Sequence, residues 1–441
     1  MLITDNDVSY VSSSCIDPIG RVFFYKERLF RTICCPSSAA LYQKFILEDV
    51  FQDAKSIGLV NTWIPEDIEF NNANILLEHE VLNFASHAAE LTAESLWKAA
   101  NMIVNLNNLL LSFFLQLKDC HPWNVMMKYG QPIYIDFGSI VAYKEFNLLW
   151  YEEFKKFYLI PLWLYKNYGE KASNEYRKEH CTGFGHYFMT KVFPTDQFDF
   201  PRFTGKVSDR VTISAFFEDV KNWLILNQPV ANKKKWAGYI QSGDDQNPLK
   251  PISIKHKFVF DEISRIRPKK VLDMASNKGF YSEVAARLGA KVISFDNEEF
   301  NVNKCNQVAE QHHLNITAVL LDFLHPTPPS GIGLSFPSAY DRFQADMLLV
   351  LGFIHHICIG MGVSLTLFSK ILLSYKPNNI IIEFVYADDV HVTNWKKSIP
   401  LDYSRSALNN LMDNEGFLIS SEVCVEYKGV HRDIVLFSKV I

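Results

Sequence analysis

Three aspartates each close a short apolar run: Asp273 in VLDMA, Asp296 in VISFD and Asp322 in VLLD. Carboxylates at successive strand ends line one rim of a sheet, and the second of them can accept both hydroxyls of a ribose. Between the first two lies D-M-A-S-N-K-G-F, in which the small residues Ala275 and Gly279, with Asn277 between them, let a ligand approach the backbone. A helix opening near Phe280 offers free N–H groups at its start. Taken singly, an aspartate at a strand end is a common turn former. Three in series behind a small-residue loop read as a nucleoside site. The loop lacks the second glycine of G-x-G-x-x-G, so a nucleoside without phosphates fits better than a dinucleotide. Asp346, which opens ADMLLVL, is counted with the cofactor-binding carboxylates.

The segment VLDMASNKGFYSEVAARLGAKVISFDNEE resembles motifs I and II of class I S-adenosylmethionine-dependent methyltransferases. With LLDFLHPTPPSG, ADMLLVLGFIHHI and IIIEFVYADD, the pattern resembles a bacterial family related to nodulation-protein methyltransferases, and a comparable N-terminal region extends the resemblance over most of the chain. The resemblance implies that residues 273–279 surround the methionine part of S-adenosylmethionine, Asp296 its ribose and Asp322 its adenine. Ala275 and Asn277 stand where the class usually has glycines.

Methyl transfer from a sulfonium is an in-line displacement, so the enzyme has to position the acceptor and remove its proton. ADMLLVLGF runs into Ile354-His355-His356, and Glu383 ends the next apolar run, followed by Asp388 and Asp389. Histidine is the natural base near neutral pH. His355 or His356 is expected to deprotonate or orient the acceptor, assisted by Glu383. The alternatives are that one histidine packs in the core and the other caps a helix, or that the three form a generic metal-ligand set. No metal is assigned.

A second constellation lies in LKDCHPWNVMMKYGQPIYIDFGSI. Asp119 precedes Asn124 by five positions, and Asp136-Phe137-Gly138 follows Asn124 by twelve. In phosphoryl transfer the first Asp takes the hydroxyl proton, while the Asn and the D-F-G Asp hold magnesium. This resembles the core of protein-kinase-like and aminoglycoside-phosphotransferase-like folds. No glycine-rich loop or V-A-I-K strand precedes it, although Lys26 or Arg31 with Glu48 would mimic the lysine–glutamate pair. A kinase-like domain with weak or lost activity is expected, and Mg2+ and ATP are implied only if that site is active.

The elements that must position these groups fall into two patterns. Residues 19–33 alternate around Lys26-Glu27, which predicts a hairpin. Helices are predicted from Ser37 or Ser38 onward, over 90–117 and over the aromatic stretch 142–170, with a short strand pair within 117–140. Residues 226–251 combine Pro, Gly, Asn and the run Lys233-Lys234-Lys235. Beyond them, strands at KKVLDMA, AKVISFD, ITAVLLD, ADMLLVL and NIIIEFV alternate with helical segments. The fold class expected is α/β: a Rossmann-like methyltransferase domain with a mostly parallel sheet over 255–441, a linker over 226–254, and an α+β kinase-like domain over 1–225.

With 441 residues, 48% hydrophobic and 21% charged, the chain has material for two packed cores and little for extended disorder. A net charge of −5 with one short basic run argues against nucleic acid as the main partner. The eight cysteines show no metal-ligand spacing and read as reduced thiols of a cytoplasmic protein. The first residues lack a secretory leader, and four asparagines within 101–117 make a buried helix the better reading than a membrane span. The function expected is methyl transfer to an unidentified small molecule, with the N-terminal domain orienting it. The alternatives are an ATP-dependent phosphotransferase joined to a nucleoside-binding domain, and a non-catalytic scaffold.

Overall fold

The computed structural model describes residues 1–14, 17–143, 147–182, 198–231 and 247–440. Cys15, the run 233–235 and most of the predicted linker lie outside them. The chain divides into two compact units, Met1–Ala231 with Pro329–Pro337, and Asn232–Pro328 with Ser338–Ile441.

The first unit contains a five-stranded antiparallel sheet ordered Ser9–Tyr10, Val22–Tyr25, Arg28–Ile33, Ile75–His79, Thr62–Trp63. Its central hairpin turns at Lys26 and Glu27, with φ of 46° and 63°, the left-handed pair that a two-residue turn requires. The helices Pro36–Leu47 and Asp49–Ile57 follow, the first with Pro36 at its start. The helix Ala93–Leu111 is capped by Thr92, whose side chain accepts from the Ser95 N–H. Its Asn107 is buried and accepts from the Leu117 N–H at 2.9 Å, so the polar residue in the apolar stretch bonds the next strand. No described helix is long and apolar enough to cross a membrane.

The aromatic stretch forms Leu149–Phe154 and Ile160–Tyr168, joined by a π turn over Lys155–Leu159. Trp150 stacks on Phe217 of the helix Arg210–Leu226, and Phe154 and Tyr158 are fully buried beside them. This segment fills the first unit's core.

The second unit is built on seven strands: β1 Lys270–Met274, β2 Lys291–Asp296, β3 Ile316–Leu320, β4 Met347–Val350, β5 Asn379–Val385, β6 Phe417–Tyr427 and β7 Val430–Lys439. Their order is β3-β2-β1-β4-β5-β7-β6. The first five are parallel, whereas β7 runs antiparallel to both β5 and β6. The sheet is therefore mixed, a correction to the expected pattern, which contained neither strand of the final hairpin. Strand β6 lies at the sheet edge, is mostly exposed and carries a bulge between Ile419 and Ser421, so it lacks a continuous apolar run. Strands β1 to β5 are buried almost throughout, as parallel strands covered on both faces are.

Helices α1 Ile254–Ile266, α2 Phe280–Arg287, α3 Glu299–His312, α4 Leu365–Leu373 and α5 Arg405–Asn414 accompany the sheet. Helix α1 is capped by Ser253 and ends at Arg267, which takes a left-handed φ of 52°. The strand order reverses between β1 and β4, and ligands of open α/β sheets bind outside the carboxyl ends of strands at such a point.

Candidate functional site

The loop from β1 to α2 takes three left-handed residues in alternation: Ala275 and Asn277 at φ 52° and Gly279 at 82°. Ala275 and Asn277 are the two positions at which the sequence resemblance leads one to expect glycine. The conformation that calls for glycine is thus kept although two of the residues are not glycine. Asn is among the few side chains that tolerate it, whereas Ala is not. The loop is held by its neighbours: the Ser276 N–H donates to the Phe295 carbonyl at 3.0 Å and the Asn277 N–H to Asp296 Oδ2 at 2.9 Å. Gly279 has a second constraint, since a Cβ there would lie 2.3 Å from Cys305 Sγ on α3. Close contact between loop and helix is what the absent side chain permits.

Asp296 ends β2 and is 7% exposed. Its Oδ1 accepts from the Glu298 N–H at 2.9 Å and from the Asn301 amide at 3.3 Å. Burial raises its pKa against the pull of these bonds. Asp322 is more open, with a side chain 40% exposed. Its Oδ1 accepts from the Leu324 and His325 N–H groups, and its other oxygen has no partner among the described residues. Asp273 is turned inward: it is 3% exposed and accepts from Ser282 Oγ at 2.6 Å. Burial pushes its pKa up to about 7, opposed by Ser282 and by Lys255. It holds the first turn of α2 under the loop and does not stand on the rim as expected.

Asp346 is corrected outright. It precedes β4, accepts from the Lys270 N–H at 2.8 Å, and its carbonyl accepts from the Asn378 and Asn379 N–H groups. These are the amino ends of β1, β4 and β5, the edge of the sheet away from the loop.

At the carboxyl edge, Glu383 of β5 is 2% exposed, and its oxygens accept from Lys255 Nζ of α1 at 2.5 Å and from Arg432 Nη1 of β7 at 3.0 Å. Burial alone would raise its pKa, but the two cations bring it down to about 2. Arg432 also donates through Nε to Asp389. Glu383 is therefore the fixed anion of an ion-pair chain, and the expectation that it assists proton removal is corrected: a carboxylate so stabilised does not accept a proton near neutral pH. Gly352, just beyond β4, takes φ 64°, and a Cβ there would approach Glu383 Oε2 at 3.6 Å, so the chain end of β4 passes over this pair.

His355 and His356 follow Gly352 closely and lead into a π turn, His356–Gly360, a form common at functional sites. Their rings are 4.1 Å apart, and both pack on Trp395, at 5.3 and 4.9 Å. His355 is 5% exposed, and burial, then His356 and Arg432, lower its pKa to about 3. Its Nδ1 is buried with no partner among the described residues. His356 is half-buried. Among the described residues no cluster of three or more His, Cys, Asp or Glu is arranged to hold a metal ion.

Sequence reasoning passed over Lys255, Arg432 and Trp395. Each lies far along the chain from the motif it supports, and Arg432 lies on β7, a strand outside the expected pattern. Lys255 carried no motif of its own.

In the first unit, Asp119 and Asn124 converge on Tyr134, whose hydroxyl donates to the Asp119 carbonyl at 2.5 Å and stands 3.5 Å from the Asn124 amide nitrogen. Asp136 pairs with Arg31. The expected pairing of Lys26 or Arg31 with Glu48 is corrected: Lys26 sits in the hairpin turn and Glu48 is exposed between two helices, so Arg31 finds aspartates instead.

No family model matches the chain. The nodulation protein NoeA of Rhizobium meliloti is 24% identical to it, over 94% of this chain and 93% of that protein. Among solved structures, magnesium protoporphyrin IX methyltransferase from Synechocystis, with bound S-adenosylhomocysteine, is 14% identical with a TM-score of 0.31, over 43% of this chain and 89% of that one. The bifunctional kinase-methyltransferase WbdD is 19% identical with a TM-score of 0.31, over 41% of this chain and 38% of its own.

Proposed function

We propose that the second unit binds S-adenosylmethionine at the switch point between β1 and β4 and transfers its methyl group to an acceptor. The observation that carries this reading is the loop with left-handed residues at 275, 277 and 279, followed by Asp296 and Asp322 at the ends of the next two strands. The donor set fits the cofactor: Asp296 would take the ribose hydroxyls, and the open oxygen of Asp322 would take an adenine N–H. The loop backbone would border the methionine part. When bound, S-adenosylmethionine supplies an electrophilic methyl group.

The protein's own task is then to orient the acceptor and take its proton. We assign proton removal to His356. A base pushed to about 3, as His355 is, holds a proton too weakly for the purpose, whereas His356 beside it is half-buried and open to an acceptor. His355 and Trp395 pack against the His356 ring at tilted angles, and Lys255, Glu383, Arg432 and Asp389 keep this edge of the sheet tied together and charge-balanced.

The test is transfer of label from methyl-tritiated S-adenosylmethionine into a cell extract by wild type and by His356→Ala. The variant is expected to lose transfer by about a hundredfold or more while still binding S-adenosylhomocysteine. Undiminished transfer by the variant would refute the assignment of His356.

A further inference from the structure

The D-F-G run of the first unit invites a magnesium site, and its surroundings answer otherwise. Asp136 Oδ1 accepts from Arg31 Nη2 at 2.8 Å, and Arg31 Nη1 donates to Asp17 Oδ2 at 2.7 Å. The Asp17 carboxylate is held in turn by the Ile19 N–H at 3.0 Å. Arg31 is 7% exposed and lies on the strand Arg28–Ile33, so its guanidinium is fixed by the sheet.

The other two letters of the motif are equally committed. Phe137 is fully buried among the rings of Tyr42, Phe45 and Phe51. A Cβ on Gly138 would stand 2.2 Å from Arg31 Nη1, so this glycine is what lets the guanidinium approach, and its carbonyl accepts from the Tyr42 hydroxyl at 3.1 Å.

Magnesium asks for six oxygens in near-octahedral array, with carboxylates whose charge it neutralises. Here Asp136 and Asp17 already share one positive charge, and Asp119 stands 3.2 Å from Lys118 Nζ. A divalent ion entering beside the buried guanidinium would meet like charge and would compete with Arg31 for both carboxylates. The residues present do not fit the metal.

We propose that Asp17, Arg31 and Asp136 form a metal-free clamp in which the guanidinium is the resident cation, so that D-F-G here joins the sheet to residues 119–139 and holds neither Mg2+ nor Mg-ATP. This is independent of methyl transfer by the second unit.

The sign of one substitution separates the two readings. In a metal site stripped by EDTA the carboxylates repel one another, so Asp136→Asn would leave the apo protein unchanged or more stable. In the clamp it removes a charge-assisted bond from a buried guanidinium, so the full chain in EDTA should lose about ten- to a hundredfold in its folded-to-unfolded ratio. Manganese titration followed by electron paramagnetic resonance is expected to show no uptake by wild type that Asp136→Asn abolishes, and Mg-ATP is expected to leave the melting temperature unchanged. Asp136-dependent uptake of manganese, stabilisation by Mg-ATP, or an Asp136→Asn protein at least as stable as wild type in EDTA would each overturn the clamp. Should Asp136→Asn fail to fold, the wild-type titration decides alone: no uptake upholds the clamp and uptake of an ion refutes it.

Discussion

Replacing Ala275 by glycine should stabilise the protein, which is unusual for a substitution that removes a methyl group. Ala275 takes φ 52°, and a left-handed conformation costs an L residue with a Cβ roughly 1–2 kcal/mol. Glycine relieves that cost but adds freedom to the unfolded chain worth about 0.5–1 kcal/mol. The balance is a gain of about 0.5–1 kcal/mol, or roughly 1–4 °C in the melting transition of a unit this size. The reverse change at the third left-handed position has the opposite sign for two reasons. Gly279→Ala places a side chain at φ 82° and drives its Cβ to 2.3 Å from Cys305 Sγ. Backbone strain and overpacking together should cost about 2–5 kcal/mol. Urea denaturation of the full chain, followed by circular dichroism, measures both. An Ala275→Gly protein destabilised by more than about 1 kcal/mol, or a Gly279→Ala protein of unchanged stability, would refute the conformation assigned to the loop.

Two further outcomes follow from carboxylates of the second unit. Burial raises the Asp273 pKa from 3.8 to about 7, so between those values the native state binds more protons than the unfolded chain, and stability falls as pH rises; the full effect is roughly 4 kcal/mol. Asp273→Asn should flatten this slope in denaturation midpoints measured from pH 4 to 8, and an unchanged slope would show that Asp273 is not its source. Asp346→Ala removes the acceptor of the Lys270 N–H at the amino edge of the sheet, so it should lower stability by about 1 kcal/mol and leave S-adenosylhomocysteine affinity as in wild type. A loss of affinity without loss of stability would place Asp346 at the cofactor after all.

Much of the second unit was legible in its residues because buried parallel strands are continuous apolar runs, and an aspartate closing such a run marks where the strand leaves the core. Asp296 and Asp322 stand out for that reason, and so do five of the seven strands, whereas Asp273 follows the same pattern yet stays in the core. The last hairpin did not, because the edge strand Phe417–Tyr427 is largely exposed and its polar residues hide the alternation. Residue type also concealed conformation: Ala275 and Asn277 look like departures from a glycine loop, yet the backbone holds both left-handed through bonds to Phe295 and Asp296. Ion pairs were the least legible. Glu383 meets Lys255 across 128 positions and Arg432 across 49, and Arg31 meets Asp136 across 105, separations at which no spacing rule operates. The same limit hid the partner of Asp136, since Arg31 lies on a distant strand.

The central claim, that the second unit holds S-adenosylmethionine across the ends of β1, β2 and β3, is tested most directly by calorimetric titration of S-adenosylhomocysteine into the full chain and into Asp296→Ala. Saturable binding to wild type is expected, weakened about tenfold or more by the substitution, with no heat from NAD+. Absence of binding to wild type, or equal affinity in Asp296→Ala, would contradict it.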